Sequence, residues 1–250
     1  MVSAPTVRQM PQGMSRVLPR ETASEVDATN PRCAVLPVGS FEQHGPFLPL
    51  ITDTVVASVI AGELAQAYSL FALPPVPVSC SHEHHAWRAT VSVPAAVLAS
   101  YVTSIYDSVT RSGFRSLVLV NGHGGNYVLS NVVQEAGAAG GRMALFPAKE
   151  AWKRARLDAA LDTTDHEDMH AGELETSILL HAAPELVREG FKSADHLADD
   201  RRDLLTSGMT AYAANGVIGK PSRASAEKGK AVLASLTGGF VRVLDLLDRA

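Results

Sequence analysis

The sequence predicts an α/β fold: a mainly parallel sheet held between helical layers. Three observations point there. Strand-like apolar runs alternate with helical segments along most of the 250 residues. Residues 116–120 (Ser-Leu-Val-Leu-Val) are apolar towards both faces, as in parallel strands covered on two sides. Apolar residues make up 46% of the chain against 19% charged, enough core for one compact domain and too little charge for a disordered chain or a coiled coil.

The elements follow in order. Residues 1–20 are polar with three prolines and read as a loose lead-in, so 1–30 is expected to be an N-terminal arm and 31–250 one domain. Thr22 and Glu25 fit a capping box that opens a short helix, which Pro31 ends. Residues 34–38 form a buried strand, and 53–67 have helical apolar spacing. Residues 71–78 suit an edge strand because of Pro74, Pro75 and Pro77. A helix over 95–111 places Leu98, Val102, Ile105 and Val109 on one face. The strand over 116–120 follows, then a helix over 126–138, a short strand over 143–146 and a helix over 173–181. Residues 224–247 read as one long helix, weakened at Gly238 and Gly239.

Net charge is −4, without the basic footprint of a nucleic-acid binder. Two cysteines, Cys33 and Cys80, cannot build a disulfide framework. The N-terminus shows no signal pattern, and no apolar run reaches the roughly 20 residues of a membrane helix. A soluble cytoplasmic protein without nucleic-acid or membrane partners is the expectation.

Ligands of such sheets sit beyond the carboxyl ends of the strands. Polar clusters follow three of the expected strands. After 34–38 comes Gly39-Ser-Phe-Glu42-Gln-His44-Gly-Pro-Phe-Leu-Pro-Leu-Ile-Thr-Asp53. Glu42 and His44 are two apart, so an extended backbone points both to one side. With Asp53 they suit Zn²⁺, Mn²⁺ or Fe²⁺; the plainer reading is a surface loop with Asp53 capping a helix. After 116–120 comes Asn121-Gly-His123-Gly-Gly-Asn126, where His123 is a natural ligand or acid–base group, or merely a histidine in a glycine turn. After 71–78 comes Ser81-His82-Glu83-His84-His85, expected to line the site. A further segment, His170-Ala-Gly-Glu173-Leu-Glu175-Thr-Ser, puts Glu173 in the first turn of a helix, where an acid also complements the dipole.

Together these motifs resemble the creatininase (creatinine amidohydrolase) family over roughly residues 30–235. The resemblance rests on Pro37-Val-Gly-Ser-Phe-Glu42-Gln-His44-Gly-Pro with Asp53, on Asn121-Gly-His123-Gly-Gly-Asn126, and on the His170 segment, in the family's order. It implies a three-layer α/β/α sandwich, a homohexamer, and two divalent metals (zinc, manganese or iron) per subunit. Carried over, Glu42, Asp53 and His123 resemble the ligands of one metal, and His44 with the bridging Asp53 those of the second. Creatininase completes the second with a glutamate at the position of Gly125, so Glu173 is expected to replace it. His170 matches the family's catalytic histidine. Glu175 is expected to orient a metal-bound histidine or to lie at the surface. Asn121 and Asn126 are expected to brace the turn more than to touch substrate.

The resemblance implies hydrolysis of a carbon–nitrogen bond in a small amide. Creatininase has a tryptophan where His166 stands, and many relatives have a histidine at Phe47, which argues against creatinine itself. Formamide hydrolases of pyrimidine precursors and a mycofactocin precursor peptidase belong to the same family. Asn215-Gly-Val-Ile-Gly-Lys-Pro-Ser resembles the peptidase branch and occurs in other relatives too. Glu83, His84, Gly124, Gly125, Asn126 and His166 are the expected substrate-lining residues. Arg88, Lys220 and Arg223 are candidates for a phosphate site. A non-catalytic metal-binding relative and a metal-free binding module are the competing classes.

Overall fold

The computed structural model describes residues 19–249; most of the expected arm, residues 1–18, lies outside the described residues. Four strands form one sheet: β1 (Cys33–Val38), β2 (Phe71–Ala72), β3 (Ser116–Asn121) and β4 (Met143–Phe146). All pairs are parallel, in the order β2-β1-β3-β4, with Val35 opposite Val118 and Leu119 opposite Leu145. Successive β1 and β3 side chains enter opposite cores, the period of two that a pleated strand imposes. Ala34, Leu36, Val38, Leu117 and Leu119 pack under α3 (Ala95–Arg111) and α4 (Val128–Ala138). Val35, Val118 and Val120 pack on the other face, with α2 (Thr52–Tyr68) next to the sheet. Beyond the sheet on that side lie α5 (Lys149–Asp158), α6 (Glu173–Ala182), α8 (Ala226–Gly239) and α9 (Val241–Arg249). The fold is thus an α/β/α sandwich.

Expected boundaries hold closely for α3 and β4. The capping box is present: Thr22 accepts from Glu25 N and opens α1 (Ala23–Thr29), and Glu25 accepts from Thr22 N. Three regions differ. The 71–78 strand shrinks to two residues, because the prolines remove donors; Leu73 and Val76 still donate to Val35 and Pro37 of β1. The C-terminal helix divides at Phe240, which packs fully buried between α8 and α9 beside Tyr68 and Phe146. Helix α5 was not anticipated. Six of its ten residues are charged, and only Ala151, Trp152 and Ala155 face the core. A four-residue helix, α7 (Leu204–Ser207), stands in the loop region before α8. Among the described residues no helix is long and apolar enough to cross a membrane.

Candidate active site

The site forms where the carboxyl ends of β1 and β3 meet the first turn of α2. Two glycines permit that approach. A Cβ on Gly39 would strike the backbone of Thr54, and one on Gly122 the carbonyl of Asp53. The loop after β1 folds back so that Glu42 N donates to Leu50 O at 3.0 Å. Glu42, His44 and Asp53, far apart in an extended chain, therefore share one buried space with His123.

Asp53 is the centre. Its Oδ1 lies 3.0 Å from His44 Nε2 and its Oδ2 3.0 Å from His123 Nδ1. Ser40 Oγ donates to Oδ2 at 2.6 Å. The far nitrogens of both rings face backbone carbonyls: His44 Nδ1 to Glu42 O at 3.0 Å, and His123 Nε2 to Cys80 O at 2.8 Å. A carbonyl only accepts, so those nitrogens carry the hydrogens. In the neutral rings, bare nitrogens then face a carboxylate from two sides, an arrangement that requires a proton or a cation between.

Glu42 makes the same demand. It is 0% exposed, and neither carboxylate oxygen has a well-formed hydrogen bond; His84 Nε2 and His123 Nε2 approach to 3.2 Å. Leaving a buried carboxylate unpaired is costly. Three sets of ligating atoms each lie within 4.8 Å of one another: Glu42, Asp53 and His123; His44, His170 and Glu175; and Glu42, His84 and His170.

The electrostatics agree. Burial pushes Glu42 up to about 7, against the pull of His123 and His44. Burial likewise pushes Glu175 up to about 8. Burial opposes charge on His44, yet Asp53, Glu175 and Glu42 push it up to about 9. Burial opposes charge on His123 too, and Glu42, Asp53 and Glu83 push it up to about 10. Burial would raise Asp53, but the two histidines hold it well below the usual carboxylate range. His84 and His170 are neutral rings: burial, then the neighbouring histidines, push His84 down to about 3 and His170 well below the ordinary value. The cluster is short of positive charge, and oxygen and imidazole donors of this kind fit divalent zinc, manganese or iron.

One expected ligand is placed elsewhere. Glu173 is buried, but its carboxylate faces away from Asp53 and accepts from Asp162 N at 3.1 Å, Thr163 N at 2.9 Å, Thr163 Oγ1 at 2.6 Å and Lys228 Nζ. Every lone pair it could give a metal is committed. Glu175 stands at the cluster instead, with Oε1 4.0 Å from His44 Nε2 and Oε2 accepting from Ala171 N at 2.6 Å. Two positions along a helix turn a side chain by about 200°, so one glutamate faces the Asp53 cluster and the other the α8 side. That spacing was the signal available in the sequence.

A cavity of about 650 Å³ opens over the cluster. Glu83, His84, Gly124, Gly125, His166, His170 and Glu175 are on its wall. Asn126 is not: it accepts from Cys80 N and donates to Gly39 O and Asn121 Oδ1, which braces the turn. Of the neighbouring histidines, His84 is buried whereas His82 and His85 are exposed. Phe47 is buried in the core. Arg88, Lys220 and Arg223 are not on the cavity wall, and Lys220 pairs with Glu167. Gln43, unassigned in the sequence, lies inside the cluster between His84 and His170.

Such a fold, with carboxylates and histidines converging beyond parallel strands, suits a metal-dependent hydrolase. The chain belongs to the creatininase family: the creatinine amidohydrolase family model matches residues 20–244. Among its relatives, the "Mycofactocin precursor peptide peptidase" of Mycolicibacterium smegmatis is 33% identical over 215 residues, 82% of this chain and 81% of the relative. The "3-dehydro-scyllo-inosose hydrolase" of Thermotoga maritima is 25% identical over 249 residues, 86% and 78% of the two chains. The solved structure "Creatininase Mn" shares the fold, with a TM-score of 0.76, 23% identity and coverage of 90% and 95%.

Proposed function

We propose that the chain hydrolyses a peptide-like amide at a dinuclear centre. Asp53 carries this reading, because each of its oxygens faces a different histidine whose far side is tied to a carbonyl. Glu42, Asp53 and His123 would hold one cation; His44, Asp53 and Glu175 the other. Two bound divalent cations supply an activated water and polarise a carbonyl. His170, buried and neutral, takes the water proton and returns it to the leaving nitrogen. Glu83, Gly124, Gly125 and His166 shape the floor and wall where the amide lies. The products are a carboxylate and an amine.

The size of the cavity bears on substrate. About 650 Å³ falls in the range that holds a drug-sized ligand, well beyond one small ring. The likeness to the mycofactocin precursor peptidases favours a peptide-like amide over a cyclic amide or a formamide. The family resemblance also supports a homohexamer, which light scattering on the purified protein would test.

The deciding experiment is metal content by mass spectrometry, before and after reconstitution with Zn²⁺ and Mn²⁺, followed by a panel of short peptides, cyclic amides and formamides. About two metals per chain with turnover of peptides is the expected result. Two metals without turnover would favour a non-catalytic relative, and an empty chain a metal-free binding module.

A further inference from the structure

Gln43 is buried between Glu42 and His44, and its amide holds no metal in the reading above. Its orientation is fixed. Oε1 accepts from Gly45 N at 2.9 Å, and Nε2 donates to Gly216 O at 3.0 Å. Turning the amide over would set donor against donor and oxygen against oxygen. Gly216, at φ +76°, is shaped to receive it: a Cβ there would run into the amide.

The second amide hydrogen faces two rings, with His84 Nδ1 at 2.9 Å and His170 Nε2 at 3.1 Å. His170 Nε2 also lies 2.7 Å from Gln43 O. That carbonyl only accepts, so His170 Nε2 carries a hydrogen and cannot take another. The amide hydrogen goes to His84 Nδ1, which must be bare, and the hydrogen of that ring stands on Nε2. His84 Nε2 is the atom that faces the cluster, 3.2 Å from Glu42 Oε1. The other nitrogen of His170, Nδ1, faces the same oxygen at 3.8 Å.

We propose that Gln43 is a positioning residue that sorts these two histidines, presenting His84 to the cavity as an N–H donor and His170 as a bare nitrogen. The Nε2 hydrogen, which lies toward Glu42 Oε1 at 3.2 Å, is shared with the carbonyl oxygen of a substrate as negative charge develops there; the bare nitrogen suits a proton from water. Glu42, His84 and His170 are then no ion site, since His84 offers a hydrogen there and not a lone pair. The catalytic meaning of this sorting rests on the hydrolytic reading above; the proton positions do not.

Neutron diffraction from hydrogen–deuterium exchanged crystals of the metal-loaded protein reads those positions directly. Deuterium is expected on Nε2 of both His84 and His170 and on Nδ1 of neither. Deuterium on His84 Nδ1, or a metal against His84 Nε2, overturns the proposal. Gln43→Glu keeps the shape but can only accept, so it draws the His84 hydrogen to Nδ1. Its kcat on the best amide is expected to fall roughly 10²–10³-fold, as for one lost oxyanion donor. KM and metal content should stay within about twofold of the unaltered protein. Unchanged kcat, or loss of metal in step with activity, also overturns it. If the unaltered protein hydrolyses no amide, the hydrolytic reading fails, and the neutron map still decides the role of Gln43.

Discussion

Glu173 and Glu175 stand two residues apart on α6, both drawn in from solvent, and they meet opposite fates. Glu173 has a lysine, two backbone donors and a hydroxyl around it. Glu175 has one backbone donor and a histidine 4.0 Å away, and burial pushes its pKa up to about 8. A buried carboxylate surrounded by donors is finished structure. One left short of them is a place prepared for a cation. The same contrast separates Asp168, which pairs with Arg156 at 3.0 Å and accepts from Glu173 N and Leu174 N, from Glu42, whose oxygens have only two imidazole nitrogens at 3.2 Å and no well-formed hydrogen bond.

The largest effect is expected on the unfinished side. Asp53→Ala should remove both metals and bring activity to background, as metal analysis and amide assays would show; retention of two metals would break the assignment. Glu175→Gln should leave about one metal per chain. Glu173→Gln, by contrast, should keep both and instead destabilise the fold. Lys228 keeps Asp162 Oδ2 and Arg223 O as partners, so the cost is that of weakening the charge-assisted hydrogen bonds to Glu173, about 2–3 kcal/mol in urea unfolding. Metal loss from Glu173→Gln with none from Glu175→Gln would reverse the comparison.

The pH dependence sharpens it. Above pH 6.5 the cluster groups that titrate are those raised on folding: Glu42 at about 7, Glu175 at about 8, His44 at about 9 and His123 at about 10. Each holds its proton in the folded state after the unfolded chain has released it. Folded protein therefore binds more protons, and metal-free stability should fall as pH rises from 7 to 10. Metal must displace those protons, so metal affinity should rise over the same window. Thermal melts with and without Zn²⁺ should then diverge towards high pH; parallel curves would count against the cluster as a metal centre. The smallest effect is Thr163→Val, which removes one hydroxyl bond to Glu173. It should cost about 1.5 kcal/mol in unfolding and leave metal content unchanged.

Much of the site could be read in advance because its chemistry is local. Glu42 and His44 share one loop, and the glycines around His123 mark a close backbone approach. Periodicity likewise marked α3 and β4 closely. It failed at α5, where charge outweighs the three residues that face the core, and at residues 71–78, where prolines leave only two residues in the ladder.

The sequence by itself determined the layered fold, the kinds of side chain in the candidate site and the strand ends that carry them. These follow from side-chain periodicity and donor chemistry within a few residues. Tertiary structure decided which glutamate of α6 reaches His44, because that depends on where Lys228 of α8 and the Asp162–Thr163 turn dock against the helix. It also decided that Gln43 lies between two histidines drawn from segments 41 and 127 residues away. Hydrogen-bond partners so distant in sequence meet only when the chain has folded, and their geometry then settles which nitrogen carries the proton.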